Sequence, residues 1–453
     1  MSEPQLRRQL GFAAAAALVA GNMLGSGIFF TPGELAAVAQ ADWQVYFFWS
    51  LCGAITLCGA LTLAELSSLL PRSGASLHII NEGFGPFWAF LKAWMEIWVS
   101  GPGSVAGVAI VFGEFAALFL VDWAWPPAAW GTLAIVLLVA VNLMGVRWGG
   151  RTQVALTSIK VAGILGLVVG ALLFAEAAPA AATTSESHAS LLGFIRLVGI
   201  GVAAVLFTYD GWADIAHVAG EVERPTRNLP RGLGLGVGGI IILYLMVNYA
   251  FLRVVPLERM RESPTTIATV VATAAFGDRG GDVLTLLIVI SIFGGLGGLV
   301  MALPRFYYAT GERYRAMTRQ PWLEGLFGIL AHVSSRTAVP TGAIAICAMV
   351  SIVALLFFGS FSRLVNFFVV PMHVSNILMV ASIFRLRART LASRDHYRTP
   401  GYPVLPIIYI GVLSAFLLSA IVYQPTDTLI GLGLTATGIP AYYLLTWRGS
   451  GAR

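Results

Sequence analysis

The sequence predicts an all-α polytopic membrane protein, and three observations lead to this fold class. Hydrophobic residues make up 57% of the 453 residues and charged residues only 11%, which is too little polar surface for a water-soluble globule. Apolar runs long enough to cross a hydrocarbon core of about 30 Å recur along the whole chain. These runs are continuous, whereas the strands of a membrane β-barrel would alternate apolar and polar residues.

Apolar runs bounded by Pro, Gly and charged residues predict about twelve transmembrane helices in a single domain, residues 1–453. The two arginines before the first run resemble a signal peptide, but the run continues into a glycine-rich motif and is assigned to the first span. The spans are expected near residues 11–38, 43–69, 86–119, 127–145, 152–175, 193–219, 232–254, 282–308, 340–358, 362–385, 404–423 and 427–447.

The positions of charged residues and cysteines indicate how the chain is oriented in the membrane and which binding partners are not expected. Basic residues fall mainly in the even-numbered connections, including the cluster from Arg385 to Arg398, and this asymmetry places both termini in the cytoplasm. Because these loops account for the net charge of +6, we expect no nucleic-acid partner. The three cysteines lie inside apolar runs, so we expect neither disulfides nor a cysteine metal site.

Two halves of the chain share the same features in the same order. The first and sixth spans both contain a glycine-rich interruption, and the third and eighth are both unusually long. This pattern is typical of an inverted repeat whose two interrupted helices face each other near the bilayer midplane. We expect a 5+5 repeat, with the first repeat at about 11–175, the second at about 193–389 and two extra helices at about 404–447.

The first interruption lies at Gly25-Ser26-Gly27, with Pro32 following within two turns. Small residues and proline weaken a helix, so an unwound segment is expected here. Its freed N–H groups suit a carboxylate and its freed carbonyls suit an ammonium, which together favour a zwitterion. The alternative is that the glycines only allow close helix packing.

The second interruption, from Phe207 to Trp212, contains Asp210 and Gly211 at a similar depth. A matching break in the second half is hard to explain by packing alone. Asp210 is interpreted first as the N-cap of the second half-helix. A contact with a substrate ammonium, or proton carriage, is the alternative. Asp214 is interpreted as a favourable charge in the first turn of that half-helix.

Lys160 is one of two lysines in the chain and lies about eight residues into the fifth span. At 1.5 Å per residue it is roughly 12 Å deep, which is too deep for the side chain to reach the interface. It therefore needs an internal partner, for which the carbonyls of a broken helix are the expectation. Lys92 and Glu96 form an i,i+4 pair interpreted as structural or snorkelling. His217 and His373 are interpreted as isolated packed or loop-facing histidines, with a proton relay as the alternative.

Signatures of other function classes are missing from the sequence. It contains no Gly-Lys-Thr phosphate loop, no zinc-spaced Cys/His set and no Ser/His/Asp signature, so we expect no enzyme, no ATP hydrolysis and no cofactor. An ion channel should show rings of like charge or repeated filter carbonyls, which are also missing. A transporter remains the best interpretation.

An ordered series of motifs resembles the amino acid–polyamine–organocation superfamily, and within it the bacterial relatives of the L-type amino acid transporters. The motifs run from Gly25 to Phe29, Ala64 to Leu66, Leu70 to Gly74, Pro102 to Ala106, Thr157 to Lys160, Phe207 to Glu221, Arg227 to Pro230 and Pro400 to Pro406. The chain departs from many relatives after Arg72-Ser73-Gly74 and carries Pro371 to His373 in span ten.

The resemblance implies a leucine-transporter-type fold and a set of site residues. The substrate carboxylate would meet Ser26, Gly27 and Ile28. The ammonium would meet carbonyls near Asn22, Met23, Phe207 and Asp210, and Thr208 and Gly211 would also belong to the substrate site. Phe207 resembles an aromatic gate, and Lys160 resembles a fifth-span lysine that takes the place of a sodium ion. The side-chain pocket would include Ser104, Ser291 and Gly295.

The implied function is sodium-independent exchange of small or medium neutral L-amino acids by alternating access, in a bacterial inner membrane. Proton-coupled symport remains an alternative, and Asp210 leaves a cationic amino acid or amine antiporter open. A covalent heavy-subunit partner would need an external cysteine, which is not found in the sequence, so none is expected.

Overall fold

The computed structural model describes residues 8–25, 27–119, 123–177, 201–202, 205–206, 208–262, 267–318, 321–359, 361–389, 397–423 and 425–446. Every regular element in these ranges is a helix, and the one β-type pairing there is an isolated bridge between Leu10 and Val222. The prediction of an all-helical chain is therefore confirmed.

The helices are numbered in chain order. They are α1 (Phe12–Met23), α2 (Gly27–Ala36), α3 (Asp42–Leu69), α4 (Ala75–Phe84), α5 (Pro86–Met95), α6 (Gly101–Phe119), α7 (Pro127–Leu143), α8 (Val146–Phe174), α9 (Pro225–Val254), α10 (Leu257–Glu262), α11 (Ile267–Phe276), α12 (Gly280–Arg315), α13 (Pro321–Leu330), α14 (Thr341–Phe358), α15 (Phe361–Arg389), α16 (Val404–Tyr423), α17 (Pro425–Ala436) and α18 (Gly438–Thr446).

The helices have the lengths and compositions of a polytopic membrane protein. Among the described residues, seven helices are long and apolar enough to span a membrane, and the bent pair α1 and α2 brings the number to eight. Four shorter apolar helices accompany them. Part of the expected sixth span, residues 193–200, lies outside the described residues.

The third and eighth spans are long, as expected, with 32 residues in Pro86–Ala117 and 36 in Gly280–Arg315. The third span is nevertheless not a uniform helix, because a π-helical turn, Glu96–Ser100, joins α5 to α6. Tyr307 of α12 donates its hydroxyl to the carbonyls of Glu96 and Ile97 at 3.3 and 3.1 Å, which satisfies acceptors in this turn. Such turns are frequent at functional sites.

The interrupted helix α1 lies at the centre of the packing. It contacts α8, α9, α12 and the 3₁₀ turn Trp212–Ala216 that follows the second interruption. A Cβ at Gly21 would lie 2.4 Å from the Thr157 hydroxyl, so glycine is required for this close approach of α1 to α8. These contacts bring the two interruptions and Lys160 into one region.

Candidate functional site

The first interruption separates α1 from α2. Helix α1 ends at Met23 and α2 begins at Gly27, and the two helix axes differ by 41°. Because α2 starts here, the backbone N–H groups of Gly27 and Ile28 belong to its first turn, where helical partners are lacking. Ser26 lies outside the described residues.

The second interruption is a turn at 209–211 rather than a simple helix start. Gly211 has φ +99°, and a Cβ there would lie 2.9 Å from the backbone of Asn22. The 3₁₀ helix starts at Trp212 with Gly211 in the N-cap position and no side-chain capping hydrogen bond. The interpretation of Asp210 as the N-cap is therefore wrong, because the positive φ makes glycine the cap. Asp214 does lie in the first turn, as predicted.

The two interruptions contact each other directly. The hydroxyl oxygens of Thr208 and Thr31 lie 2.6 Å apart. The Tyr244 hydroxyl lies 2.7 Å from the carbonyl oxygen of Met23 and 3.4 Å from that of Thr208, one from each interruption. A Cβ at Gly27 would lie 2.8 Å from the Thr208 hydroxyl, so this contact also needs glycine.

A cavity of about 150 Å³ lies where the two interruptions meet. Since one water needs roughly 10–15 Å³ by the same measure, the space suits a small polar solute. The predicted residues that line it are Asn22, Met23, Gly27, Thr208, Asp210, Gly211, Ser104 and Gly295. Apolar and small residues of α6, α12 and α15 form much of the remaining wall, including Gly107, Val108, Ile292, Leu299 and Met372.

The remaining predicted residues lie elsewhere. Ile28 is fully buried and its side chain does not line the cavity. Ser291 is also fully buried, and its hydroxyl donates to the Leu24 carbonyl at 3.2 Å instead of facing the cavity. Phe207, the expected gate, lies outside the described residues.

Lys160 contacts the end of α1 from behind the cavity. Its ammonium, which is fully buried, donates to the carbonyls of Gly21 and Leu24, both at 2.8 Å. A Cβ at Gly294 would lie 2.5 Å from Lys160 Cε, so the α12 glycine makes room for the side chain. The lysine thus satisfies two carbonyls that the interruption of α1 leaves without helical partners.

Asn22, the next residue on α1, is held by the second interruption. Its Nδ2 donates to Asp214 Oδ2 at 2.7 Å. A Cβ at Gly298 of α12 would lie 1.6 Å from Asn22 Oδ1, so only glycine leaves space for the amide there. The side chain therefore joins the last turn of α1 to the 3₁₀ turn across the cavity wall.

Sequence reasoning missed a charged cluster at one end of the cavity. Lys92 and Glu96 are buried there as an ion pair at 2.5 Å, so the pair is structural, as one of the two interpretations predicted, and Lys92 does not snorkel. His217 Nε2 lies 3.9 Å from Glu96 Oε1 and 3.8 Å from Asp214 Oδ1, so His217 is not isolated. The i,i+4 spacing of Lys92 and Glu96 signalled the pair, but nothing in the sequence joined it to His217.

Comparison with known families decides the class of protein. A family model described as amino acid permease matches residues 10–447. The chain belongs to the amino acid permease family. The match also confirms the resemblance to the amino acid–polyamine–organocation superfamily. At the family level, this amino acid permease is a transporter rather than an enzyme.

Individual relatives of this amino acid permease match over nearly the whole chain. The serine/threonine exchanger SteT of Bacillus subtilis is 28% identical over 442 residues, which cover 97% of each chain. The b(0,+)-type amino acid transporter 1 of Mus musculus is 25% identical, with 98% of this chain and 88% of the relative covered. The human cystine/glutamate transporter is 24% identical, with 97% and 85% covered.

Proposed function

We propose that this permease is a sodium-independent exchanger of small or medium neutral L-amino acids. The observation that carries the proposal is the cavity lined by both helix interruptions, with the Lys160 ammonium bound to carbonyls of the first. A zwitterion needs donors and acceptors within a few ångströms of each other, and paired broken helices supply both. The Bacillus subtilis relative is named as a serine/threonine exchanger, which supports exchange as the transport mode.

The amino acid backbone would bind between the interruptions. Its carboxylate would accept from the N–H groups at the start of α2, at Ser26, Gly27 and Ile28. Its ammonium would face the backbone carbonyls of Asn22 and Met23. It would also face the side-chain carboxylate of Asp210, which lines the cavity. Phe207 would cover the bound amino acid as a gate.

Wall composition supports the substrate range. The side chain of the amino acid would point towards Ser104, Gly107 and Val108 of α6 and towards Gly295 of α12, which all line the cavity. Small residues leave room for a short or medium side chain, and the apolar ones favour a neutral side chain.

A sodium ion would be unnecessary because a fixed cation already neutralises the broken end of α1. The Lys160 ammonium is fully buried and bound to two carbonyls, which is the role that a sodium ion would otherwise fill. Because this cation is part of the Lys160 side chain, it would not be released with the substrate. Amino acid gradients, rather than sodium gradients, would then drive transport.

The proposed architecture is the 5+5 inverted repeat of the leucine-transporter type, over about 11–175 and 193–389, with two extra helices at 404–447. The two facing interruptions and the long third and eighth spans support it. We place the protein in a bacterial inner membrane with both termini cytoplasmic. It would act without a covalent heavy subunit, since Cys52, Cys58 and Cys347 are buried inside helices.

Counterflow in proteoliposomes tests this function. Vesicles preloaded with one unlabelled amino acid from a panel are diluted into trace labelled L-serine, with and without sodium and with and without an inward proton gradient. Exchange predicts uptake only into preloaded vesicles, unchanged by sodium. Accumulation in empty vesicles driven by the proton gradient would instead establish symport, and a preference for lysine or arginine would establish a cationic substrate.

A further inference from the structure

The charged cluster at the end of the cavity is left unexplained by amino acid exchange alone. Three carboxylates, those of Glu96, Asp210 and Asp214, line the cavity together with a single ammonium, that of Lys92. A neutral amino acid brings no net charge, so it leaves this excess of negative charge as it is.

His217 is the group placed to correct the imbalance. Its side chain is 5% exposed, and its Nε2 lies between two carboxylates, 3.9 Å from Glu96 Oε1 and 3.8 Å from Asp214 Oδ1. Neither distance is a hydrogen bond, but both are within about 1 Å of one. An Nε2–H on an imidazolium would therefore be attracted by both carboxylates, and a small ring movement would bond it to either.

Other charged groups near these residues already have partners. Arg305 of α12 is bound to Glu221 at 2.8 Å with both side chains fully buried. Glu65 of α3 is bound to Arg387 at 2.5 Å. Helix α1 contains no ionisable side chain, and its one polar contact with the cluster is the hydrogen bond that the Asn22 amide donates to Asp214. Lys92 is thus the one cation that faces the cluster among the described residues, and Glu96 already binds it.

Unpartnered polar groups that line the same cavity indicate a ligand that hydrogen-bonds. The hydroxyls of Ser76 and Ser100 and the Nδ1 of His217 have no hydrogen-bond partner within the described part of the chain. The three residues are 3%, 2% and 4% exposed, and all line the cavity. Buried polar atoms of this kind are costly unless water or another ligand reaches them. Water in the cavity would satisfy these groups and lie beside the charged cluster.

We infer that Glu96, His217 and Asp214 form a binding site for one shared proton and, resting on the proposed exchange function, that the amino acid binds more tightly when this proton is present. A hydronium ion gives up the proton, leaving water, as the Nε2–H bond of His217 forms, and the proton returns to water as hydronium when that bond breaks. Binding it reduces the excess negative charge by one. It also holds Asp214 in place beside Asn22, which joins the site to the last turn of α1.

The chain contains a matched control for His217. His373 is 5% exposed, also has an unpartnered Nδ1 and packs edge-on against Phe416 at 5.1 Å, as His217 packs against Phe306 at 5.2 Å. No carboxylate lies within ion-pair distance of His373 among the described residues.

Proton counting on the empty protein tests the site without any substrate. Protein in lipid nanodiscs is titrated between pH 9 and pH 5, and the protons bound are compared for the parent, His217→Gln and His373→Gln. We expect His217→Gln to bind one proton fewer and His373→Gln to match the parent. If His217→Gln is poorly folded, Asp214→Asn should shift the same uptake to lower pH. Equal uptake by the parent and a folded His217→Gln or Asp214→Asn variant would overturn the inference.

Transport measurements then test the link to the amino acid. Exchange of labelled L-serine is measured at equal pH on both sides of the membrane, from pH 5.5 to 8.5. In the parent and in His373→Gln the affinity should fall as pH rises, by at most about tenfold per pH unit for one proton. His217→Gln should lose this dependence. A parent protein that exchanges serine with the same affinity at every pH would refute the link, whereas no exchange at any pH would refute the proposed substrate and leave the proton count to decide.

Discussion

The ammonium of Lys160 donates a hydrogen bond to the backbone carbonyl of Leu24 at 2.8 Å, across the interface between α8 and the end of α1. The same ammonium also donates to Gly21, and the Ser291 hydroxyl donates to Leu24 as well. Lys160 of α8 and Ser291 of α12 therefore both stabilise the unwound end of α1, and Lys160 makes two of these three hydrogen bonds. The position of the proposed site depends on the contact between Lys160 and Leu24. Helix α2, whose first N–H groups would bind the substrate carboxylate, begins three residues after Leu24, at Gly27.

The space for Lys160 depends on a glycine of α12. Gly294→Ala would place a methyl group 2.5 Å from Lys160 Cε and displace the ammonium from its carbonyls. We expect exchange to fall by about tenfold or more, since hydrogen bonds to charged groups are worth about 1.5–3 kcal/mol each. Gly166→Ala in α8 is the control, because no atom lies within 4 Å of its added Cβ. An unchanged serine exchange rate in Gly294→Ala would contradict this explanation of the glycine.

Tyr244 connects the two interruptions through its hydroxyl. Tyr244→Phe removes the contacts with the carbonyls of Met23 and Thr208 but keeps the ring. We expect a loss of about 1–3 kcal/mol of stability and a weaker apparent affinity for the amino acid, because buried acceptors lose a donor. Tyr249→Phe on the same helix is the control, since Tyr249 is 54% exposed.

Thermal unfolding in detergent and the KM for serine exchange measure both effects of Tyr244→Phe. A variant with the parent's melting temperature and KM would show that the hydroxyl does not align the interruptions. A lower melting temperature with an unchanged KM would limit its role to stability.

A fully buried ion pair joins Glu221, after the 3₁₀ turn, to Arg305 of α12. Arg305→Met should destabilise the protein by about 3–5 kcal/mol, because it leaves a buried carboxylate without its counter-ion. Adding Glu221→Gln removes that charge and should restore much of the loss. Thermal unfolding of the two single variants and the double variant gives the interaction free energy between Arg305 and Glu221. Additive losses would show that the pair does not act as a unit.

The sequence predicted those parts of the site that follow from the type of a residue and from its depth in the membrane. Lys160 could be found because an ammonium about 12 Å deep needs an internal partner, and the small residues at 25–27 because they weaken a helix. The two interruptions could be matched because the halves repeat. The contact of Tyr244 with both of them could not be predicted, since it depends on how α9 packs against α1.

Side-chain direction and distant charge pairs were harder to predict. Ser291 was expected in the pocket, one turn of α12 before Gly295. Its hydroxyl instead donates a hydrogen bond to the Leu24 carbonyl. Asp210 was expected to cap a half-helix, but the positive φ of Gly211 places the cap one residue later. His217 approaches Glu96 only through tertiary packing, which spacing along one helix cannot show.

Serine counterflow by Lys160→Met in sodium-free buffer is the most direct test of the proposed site. The parent should take up labelled serine into preloaded vesicles. Lys160→Met, which keeps a long side chain but loses the ammonium, should be slower by about tenfold or more. Ile159→Met is the control, because Ile159 is 48% exposed on the same helix. A folded Lys160→Met that exchanges serine as fast as the parent without sodium would contradict the account.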